Sequence, residues 1–323
     1  MKFRGLKIPA VLTALAVGVS GGTVLAAGGL GGPNGGSPNG VTKAVYTDGI
    51  TDYGVNRGTD PAIYNDWGNG WSEGETPRVI IYSHTPGPRH AHLGPRLDPG
   101  LNPPLTEANV AQWNLKNWLE AEGIQVDWTE DPTALNRLNN YNGFIALSAN
   151  RDAYDDTAQT SLKQFVRRGG GFVGIHNAFG AEYHWPWYEG LLGGANFYDH
   201  GPNRDGTVEV LNHNDVSTEN LPAEWAFKDE WYNLVPFPSY VNFLAKVDAD
   251  TSDTGRSSGH PGHGDNHPVS WCHYYDGGKS WLTTLGHDAA TWSDAEFEGD
   301  EYFQDHVVNG VLSSIGMKEF CQR

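Results

Sequence analysis

Residues 167–176, RRGGGFVGIH, decide the fold class of this chain. The periodic apolar pattern of 157–168 predicts a helix, and the short apolar run 171–175 that follows the glycines predicts a buried strand. His176 comes directly after that strand. A helix that leads into a buried strand is half of a βαβ unit, so this stretch favours a parallel sheet.

The same alternation of helices and strands continues on either side of this stretch. Thr106 is placed to cap the first helix and Gly123 to close it. Residues 176–240 interrupt the alternation as a long insertion rich in aromatic residues and histidine. These features predict an α/β fold, flavodoxin-like, with a parallel-cored sheet, helices on both faces and long loop insertions. The predicted strands are 79–82, 124–128, 143–148, 171–175, 207–211, 240–247, 268–275 and 279–285, and the predicted helices are 106–121, 157–168 and 303–315.

Three segments precede the predicted domain. Residues 1–26 begin with basic residues, continue with a short apolar run and end with small residues. This pattern predicts a signal peptide over 1–26 that is cleaved near Ala26, and hence a secreted protein. The stretch 27–42, rich in glycine and proline, is typical of a flexible linker. We expect 43–77 to be an extension packed on the domain, and 78–323 to be the domain itself.

The composition excludes several classes of protein. The 323 residues include 39 Asp and Glu against 21 Lys and Arg, which gives a formal net charge of −18. We therefore expect no nucleic acid and no membrane as partner, because phosphate-rich surfaces are bound by basic residues. With 12 Trp, 14 Tyr and 12 Phe, the chain also differs from acidic disordered proteins, which contain few aromatic residues.

The two cysteines, Cys272 and Cys321, are expected to form a disulfide. An exported protein enters an oxidising compartment, where a pair of cysteines favours a bridge over two free thiols. This bridge would close a loop of about 50 residues and tie the C-terminal tail to a strand.

Titratable side chains follow several of the predicted strands at their carboxyl ends. His90 lies in the loop after the first strand, His176 follows the fourth and His287 follows the last. Ligands of open α/β sheets bind outside these strand ends. We expect His176 and His287 to face one pocket, within roughly 10 Å of each other, with Glu230 at its rim. The alternative is that these are loop histidines with no shared task.

Five sequence segments carry a family resemblance: GGGFVGIH (169–176), YHWPWY (183–188), DEWY (229–232), HPVSW (267–271) and LGHD (285–288). In this order they resemble the ThuA-like (trehalose-utilisation) family over roughly 78–316. The resemblance implies the fold of class I glutamine amidotransferases. It also implies a sugar, or an oxidised (keto) sugar, as the leading class of substrate.

His176 stands at the position where true amidotransferases carry their nucleophilic cysteine. His287 and Asp288 fall where the second part of that catalytic apparatus would lie. Imidazole cannot form the thioester of a thiolate, so the resemblance does not imply glutamine hydrolysis. The turn after the strand suits His176 to act as a general base or a metal ligand, and a purely structural histidine is the alternative.

Acidic and aromatic residues of the insertion complete the predicted site. Asp229 and Glu230 lie beside Trp231 and Tyr232, where a carboxylate can act as general acid or base; a solvated acidic loop is the alternative. The rings of 183–188 could stack on a sugar or pack on the sheet. The predicted catalytic residues are His176, His287, Glu230 and Asp229. The predicted substrate-binding residues are Arg89, His90, Tyr183, His184, Trp185, Trp187, Trp231, Tyr232 and Asp288.

The histidine content raises the question of a metal ion. His90, His176 and His287 come from separate loops and could supply three ligands to a divalent metal. The sequence contains no HExxH motif, so it does not require a cofactor.

Two classes of function follow from these residues. The first is a secreted carbohydrate-active enzyme, a lyase, isomerase or glycoside hydrolase, acting on a small sugar or polysaccharide. Proton transfer would involve His176, Glu230 and His287, and hydrolysis would need two carboxylates about 5–10 Å apart. The second is a non-catalytic sugar-binding or scaffold domain that kept the fold without the cysteine.

Overall fold

The computed structural model of the chain describes residues 49–67, 71–248, 259–293 and 299–323. The predicted signal peptide and linker lie outside these residues. No helix in the described ranges is long and apolar enough to cross a membrane. The strands are Ile50–Asp52 (β1), Val55–Gly58 (β2), Arg78–Tyr82 (β3), Gln125–Thr129 (β4), Gly143–Leu147 (β5), Gly171–Ile175 (β6), Phe197–His200 (β7), Arg204–Val210 (β8), Glu224–Asp229 (β9), Tyr232–Leu234 (β10), Asn242–Val247 (β11), His267–Tyr275 (β12) and Gly278–Thr283 (β13). The α-helices are Val110–Ala121 (α1), Asp156–Arg167 (α2), Pro186–Leu191 (α3) and Asp300–Ser314 (α4).

Five parallel strands form one half of the main sheet, in the order β4, β3, β5, β6 and β13. Both β5 and β6 are buried along their whole length, as expected for strands covered on two faces. The predicted α/β fold with a parallel-cored sheet is therefore confirmed, with 79–82 and 172–175 as parallel members of one sheet.

The other half of the sheet is antiparallel and continues from β13 through β12, β11, β8 and β9. The hairpin of β1 and β2 joins this half, because β2 pairs with β12. The insertion holds four strands, β7 to β10, where only 207–211 was predicted to be a strand. β7 and β10 pair with each other in a separate small sheet. They are too short for a periodic pattern to reveal them.

Helices cover both faces of the main sheet. Leu115 of α1 and Val311 of α4 belong to the core on one face, and Leu162 of α2 and Tyr188 of α3 belong to the core on the other. The structure corrects the start of α1, which begins at Val110 rather than at Thr106. Residues 106–109 instead close a turn of their own, in which the N–H at position 109 bonds to the carbonyl at position 106.

Two glycines of the stretch 167–176 permit close backbone packing. Gly169 ends α2 with a φ of +91°, a left-handed conformation that glycine adopts without strain. A Cβ at Gly171 would collide with the carbonyl oxygen of Ser314 in α4. β6 therefore lies directly against the end of α4 because this position carries no side chain.

The predicted disulfide between Cys272 and Cys321 is present. It joins β12 to the C-terminal tail, with 5.6 Å between the two Cα atoms. Both residues are buried.

We expect the double variant Cys272→Ser, Cys321→Ser to lose about 4 kcal/mol of unfolding free energy. The bridge spans a sequence separation of 49 residues and restricts the unfolded chain accordingly. Urea unfolding of the double variant and of the reduced wild type should give the same lowered midpoint. A midpoint that neither reduction nor substitution changes would contradict this expectation.

Candidate functional site

His176 occupies a strained turn directly after β6. Its φ is +52°, a conformation that costs a residue other than glycine roughly 1–3 kcal/mol. Ile175 pairs with Thr283 of β13, so the residues that follow them are also neighbours. Nδ1 of His176 lies 2.8 Å from the carbonyl oxygen of Thr284. Because a carbonyl can only accept, Nδ1 carries the proton and Nε2 keeps its lone pair.

Four side chains converge at this turn: His90, His176, Glu230 and His287. One potential ligand atom from each lies within 4.8 Å of all the others. The ring centroid of His176 is 4.6 Å from that of His90 and 5.5 Å from that of His287. His90 comes from the loop after β3, Glu230 from the link between β9 and β10, and His287 from the segment after β13. The structure thus places His176 and His287 within the expected distance.

Two nitrogens of this cluster lack a hydrogen-bond partner. Nδ1 of His90 and Nδ1 of His287 are both shielded from solvent and make no hydrogen bond. Oε2 of Glu230 lies 3.1 Å from Nδ1 of His287 and 3.8 Å from Nε2 of His90, without forming a hydrogen bond of good geometry to the former. Leaving a buried polar group unpaired costs about 1–3 kcal/mol. The unpaired Nδ1 of His287 beside the Glu230 carboxylate is an arrangement that a bound cation would satisfy.

The electrostatics of the cluster also suit a cation. Burial and repulsion from three neighbouring imidazoles lower the pKa of His176 well below its ordinary value. Burial raises the pKa of Glu230, but its contacts with His287 and His90 outweigh burial and bring that pKa to about 2. Glu230 is therefore ionised and His176 is neutral at neutral pH. Burial lowers the pKa of His287, but its contacts with Glu230 outweigh burial and raise that pKa above its ordinary value. A carboxylate together with imidazole nitrogens is the donor set that zinc and similar divalent ions bind.

Asp229 fixes the backbone of two members of this cluster. It is fully buried, and its two carboxylate oxygens each accept a hydrogen bond of 2.7 Å, from the N–H of Glu230 and from the N–H of Gly286. Gly286, which donates the second of these bonds, directly precedes His287 in the chain. Burial raises the pKa of Asp229 to about 7, although the backbone N–H groups and His287 oppose the shift.

His92 supports the cluster from a second side. Its Nδ1 lies 2.7 Å from the carbonyl oxygen of His287, and its Nε2 lies 2.9 Å from Oγ of Ser148. Its ring stacks on His90 at a centroid distance of 5.2 Å. The carbonyl accepts from Nδ1, so Ser148 must donate to Nε2. His92 thus orients two of the four converging side chains.

A cleft of about 260 Å³ opens beside the four converging side chains. Tyr232 stands in its wall, with Oη 2.9 Å from Nε2 of His176. A larger groove of about 810 Å³ beside the C-terminal tail contains none of these groups. The side chains that line the cleft include those of His90, Asn150, Arg151, Asn177, Tyr183, His200, Glu230 and Tyr232.

Only some of the residues predicted to bind substrate lie at this cleft. Trp187 is buried, stacks on Trp185 and donates a hydrogen bond to Asp276. Trp231 is packed in the core, and Arg89 is paired with Glu130. These groups serve the packing of the insertion and the loops. His176 and His287, which were expected to face one pocket, lie behind the residues that line the cleft and are not part of its lining. The predicted residues that do not line the cleft are Arg89, His176, His184, Trp185, Trp187, Asp229, Trp231, His287 and Asp288.

Four polar cleft residues were not among the predicted site residues: Asn150, Arg151, Asn177 and His200. The first two lie three and four residues after the end of β5, and Asn177 follows His176. The rule that ligands bind at the carboxyl ends of parallel strands would have found these three. His200 belongs to β7, for which the sequence shows no periodic signal.

Comparison with known proteins agrees with the fold and the motifs. A solved structure of a ThuA-like protein from Bacteroides uniformis is 25% identical, with a TM-score of 0.53, over 76% of this chain and 92% of that chain. A ThuA-like protein from Parabacteroides merdae is 16% identical, with a TM-score of 0.57, over 77% of this chain and 93% of that chain. A search of curated proteins found no match. Residues 78–312, well over half of the chain, match the family model described as ThuA, trehalose utilisation. The chain therefore belongs to the ThuA family.

Proposed function

We propose that this protein is a metal-dependent enzyme acting on a sugar. His90, His176, His287 and Glu230 hold a divalent cation, and the sugar binds in the adjoining cleft. The observation that carries this proposal is the convergence of four potential ligand atoms within 4.8 Å at the carboxyl end of the sheet. The family description supports a carbohydrate as substrate.

The energetics of the site favour an enzyme over a scaffold domain. His176 is held in a strained backbone conformation, and two buried nitrogens of its neighbours lack partners. Both features destabilise the fold, and such features are retained at sites where function needs them. A domain that served only as a scaffold would gain stability by replacing these side chains.

The ion, His176 and Glu230 have distinct tasks at the site. A divalent ion bound there would act as a Lewis acid on a sugar hydroxyl or carbonyl oxygen. The Thr284 carbonyl keeps the proton of His176 on Nδ1, so Nε2 carries the lone pair that would bind the ion in place of the hydrogen bond from Tyr232. Glu230 supplies a negative charge that balances part of the charge of the ion.

Once Nε2 of His176 binds the ion, the Tyr232 hydroxyl that donates to this nitrogen would be released to donate a proton or a hydrogen bond to the substrate. Burial, with the nearby Glu230 and Asp229, raises its pKa well above the ordinary value, so the phenol stays neutral. Glu230 is the only carboxylate lining the cleft in the part of the chain that the structure describes. Hydrolysis by a pair of carboxylates is therefore less well supported than isomerisation or elimination next to the carbonyl of a keto sugar.

We propose further that the protein is secreted and meets its sugar outside the cell. The basic and apolar start of the chain supports export, as does the bridge between Cys272 and Cys321. The net charge of −18 supports a partner that is neither nucleic acid nor an anionic membrane.

The experiment that tests this function is metal removal and reconstitution of the exported protein. The protein is treated with chelator, then assayed with Zn²⁺, Mn²⁺ or Ca²⁺ on disaccharides, polysaccharides and their 3-keto forms. We expect turnover to disappear with the metal and to return with one divalent ion per chain. Full turnover by the metal-free protein would contradict the proposal.

We expect Tyr232→Phe to lower kcat about 100-fold, with unchanged metal content. The variant keeps the ring that packs on His176 at a centroid distance of 4.7 Å and removes only the hydroxyl. Tyr188→Phe is the matched control, because Tyr188 is equally buried but donates to the carbonyl of Ala178 outside the cleft. Equal kcat values for the two variants would exclude Tyr232 as the proton donor.

A further inference from the structure

One arginine in the cleft wall bears on the class of sugar that this site binds. Arg151 is the only Arg or Lys among the described residues that line the cleft. It follows β5, whereas Glu230 and His90, which also line the cleft, come from other loops. A charged side chain within reach of the substrate contributes to specificity as well as to affinity.

The backbone holds Arg151 in a defined and strained position. Its φ is +59°, in the left-handed region. The N–H of Arg151 donates to the carbonyl of Gly180 over 2.8 Å. Its own carbonyl accepts from the N–H of Ala153 at 2.8 Å and from the N–H of Glu182 at 3.0 Å. Strain that is held by several hydrogen bonds is typical of functional positions.

The side chain of Arg151 is also fixed by its neighbours. A Cβ on Gly87 would collide with Cγ of Arg151, so the stem of the arginine uses space that only glycine leaves free. The guanidinium carbon lies 5.8 Å from the ring centroid of Tyr183, within the range of a cation–π contact. Both contacts keep the guanidinium at the cleft.

No carboxylate in the described ranges forms an ion pair with Arg151, in contrast to four other arginines of the protein. Arg57, Arg78, Arg89 and Arg167 each pair with an Asp or Glu. The chain has 39 acidic residues against 21 basic ones, so acidic partners are plentiful. A planar guanidinium binds carboxylate and phosphate through paired N–H donors. An arginine held in a cleft without an acidic partner is therefore complementary to an anionic group of a ligand.

We propose that the substrate is an acidic sugar whose carboxylate or phosphate binds Arg151 while its ring oxygens reach the metal centre. This inference rests on the proposed function. Three neutral imidazoles, one carboxylate and a divalent ion carry a net charge of about +1, so the loaded site does not repel an anion. Arg151 adds a second positive charge to the same cleft.

Calorimetric titration of the metal-loaded protein with matched sugars tests this inference. Glucose, glucuronate and glucose 6-phosphate form one set, and galactose, galacturonate and galactose 6-phosphate form the other. We expect at least one acidic member to bind about 10- to 100-fold more tightly than its neutral counterpart, since hydrogen bonds to charged groups have that strength. Whether the uronate or the phosphate shows this preference distinguishes the two sources of the anionic group.

Substitutions of Arg151 separate its role from that of the metal centre. Arg151→Gln should remove the preference, so that the acidic and the neutral sugar bind this variant with equal affinity. Arg151→Lys keeps the charge without the paired donors and should restore only part of the preference. Arg137→Gln removes an exposed arginine away from the cleft and should change nothing.

The outcomes distinguish the two proposals. Neutral and acidic sugars that bind equally, or a preference that survives Arg151→Gln, would overturn this inference and leave the proposed function intact. If no sugar of either kind binds to the loaded protein, both proposals are wrong.

Discussion

His176→Ala should lower activity by about 1,000-fold or more and should abolish tight binding of the metal ion. The substitution removes one of four ligands, whereas residues that only orient a ligand affect metal affinity about 10- to 100-fold. The remaining groups, Glu230 and the two other histidines, come from three separate loops and would lose the ligand that β6 and Thr284 hold in place. Metal content by mass spectrometry and turnover of the reconstituted variant measure the two effects.

His306→Ala is the matched control for this variant. His306 is also fully buried, and both of its ring nitrogens are bonded, to the carbonyl of Ser217 and to Oγ of Ser270. Its loss should destabilise the fold without changing the metal content at temperatures where the protein stays folded. If His176→Ala retained one tightly bound ion per chain, the assignment of His176 as a ligand would be wrong.

Asp229→Asn should lower metal affinity and kcat/KM about 10- to 100-fold, the range typical of groups that orient metal ligands. The side chain keeps its size, but its amide NH₂ must face one of the N–H groups that the carboxylate accepts from Glu230 and Gly286. One hydrogen bond is thereby replaced by a contact between two donors, which displaces the segments of Glu230 and His287.

Asp215→Asn separates this effect from a general loss of stability. Asp215 is likewise buried and accepts from the backbone N–H of Ser217 and of Gln322, at a place that does not line the cleft. We expect it to lower the unfolding free energy while metal affinity stays at the wild-type value. Equal losses of metal affinity in the two variants would show that Asp229 has no specific role in positioning the ligands.

The parallel half of the fold was predictable because its strands carry a strong local signal. β3, β5 and β6 are continuous apolar runs, and buried parallel strands produce that pattern regardless of distant contacts. β7 and β10 have no such signal. Their pairing depends on where the insertion folds back, which no short window of sequence records.

The candidate site was predictable to the extent that strand ends determine it. His176 and His287 follow neighbouring parallel strands, so the register of β6 and β13 brings them together. The supporting contacts of His92 and Asp229 arise only from tertiary packing. Aromatic sequence alone does not distinguish a ring that binds sugar from one that packs, and Trp187 and Trp231 pack.

The expected roles of the site residues also depend on geometry. From the sequence alone, the role of His176 could be that of a general base, a metal ligand or a structural histidine. The convergence of a His176 ring nitrogen with Glu230 and two other histidines supports the metal ligand. The protonated Nδ1, fixed by Thr284, is consistent with this choice.

Anomalous X-ray scattering at the absorption edge of the metal, from crystals of the loaded protein, tests the proposed metal centre most directly. We predict one strong peak per chain, at about 2.0–2.2 Å from one atom each of His90, His176, His287 and Glu230 if the ion is zinc. Loaded crystals that show no peak between these four side chains, or a peak only elsewhere on the chain, would contradict the proposed metal centre.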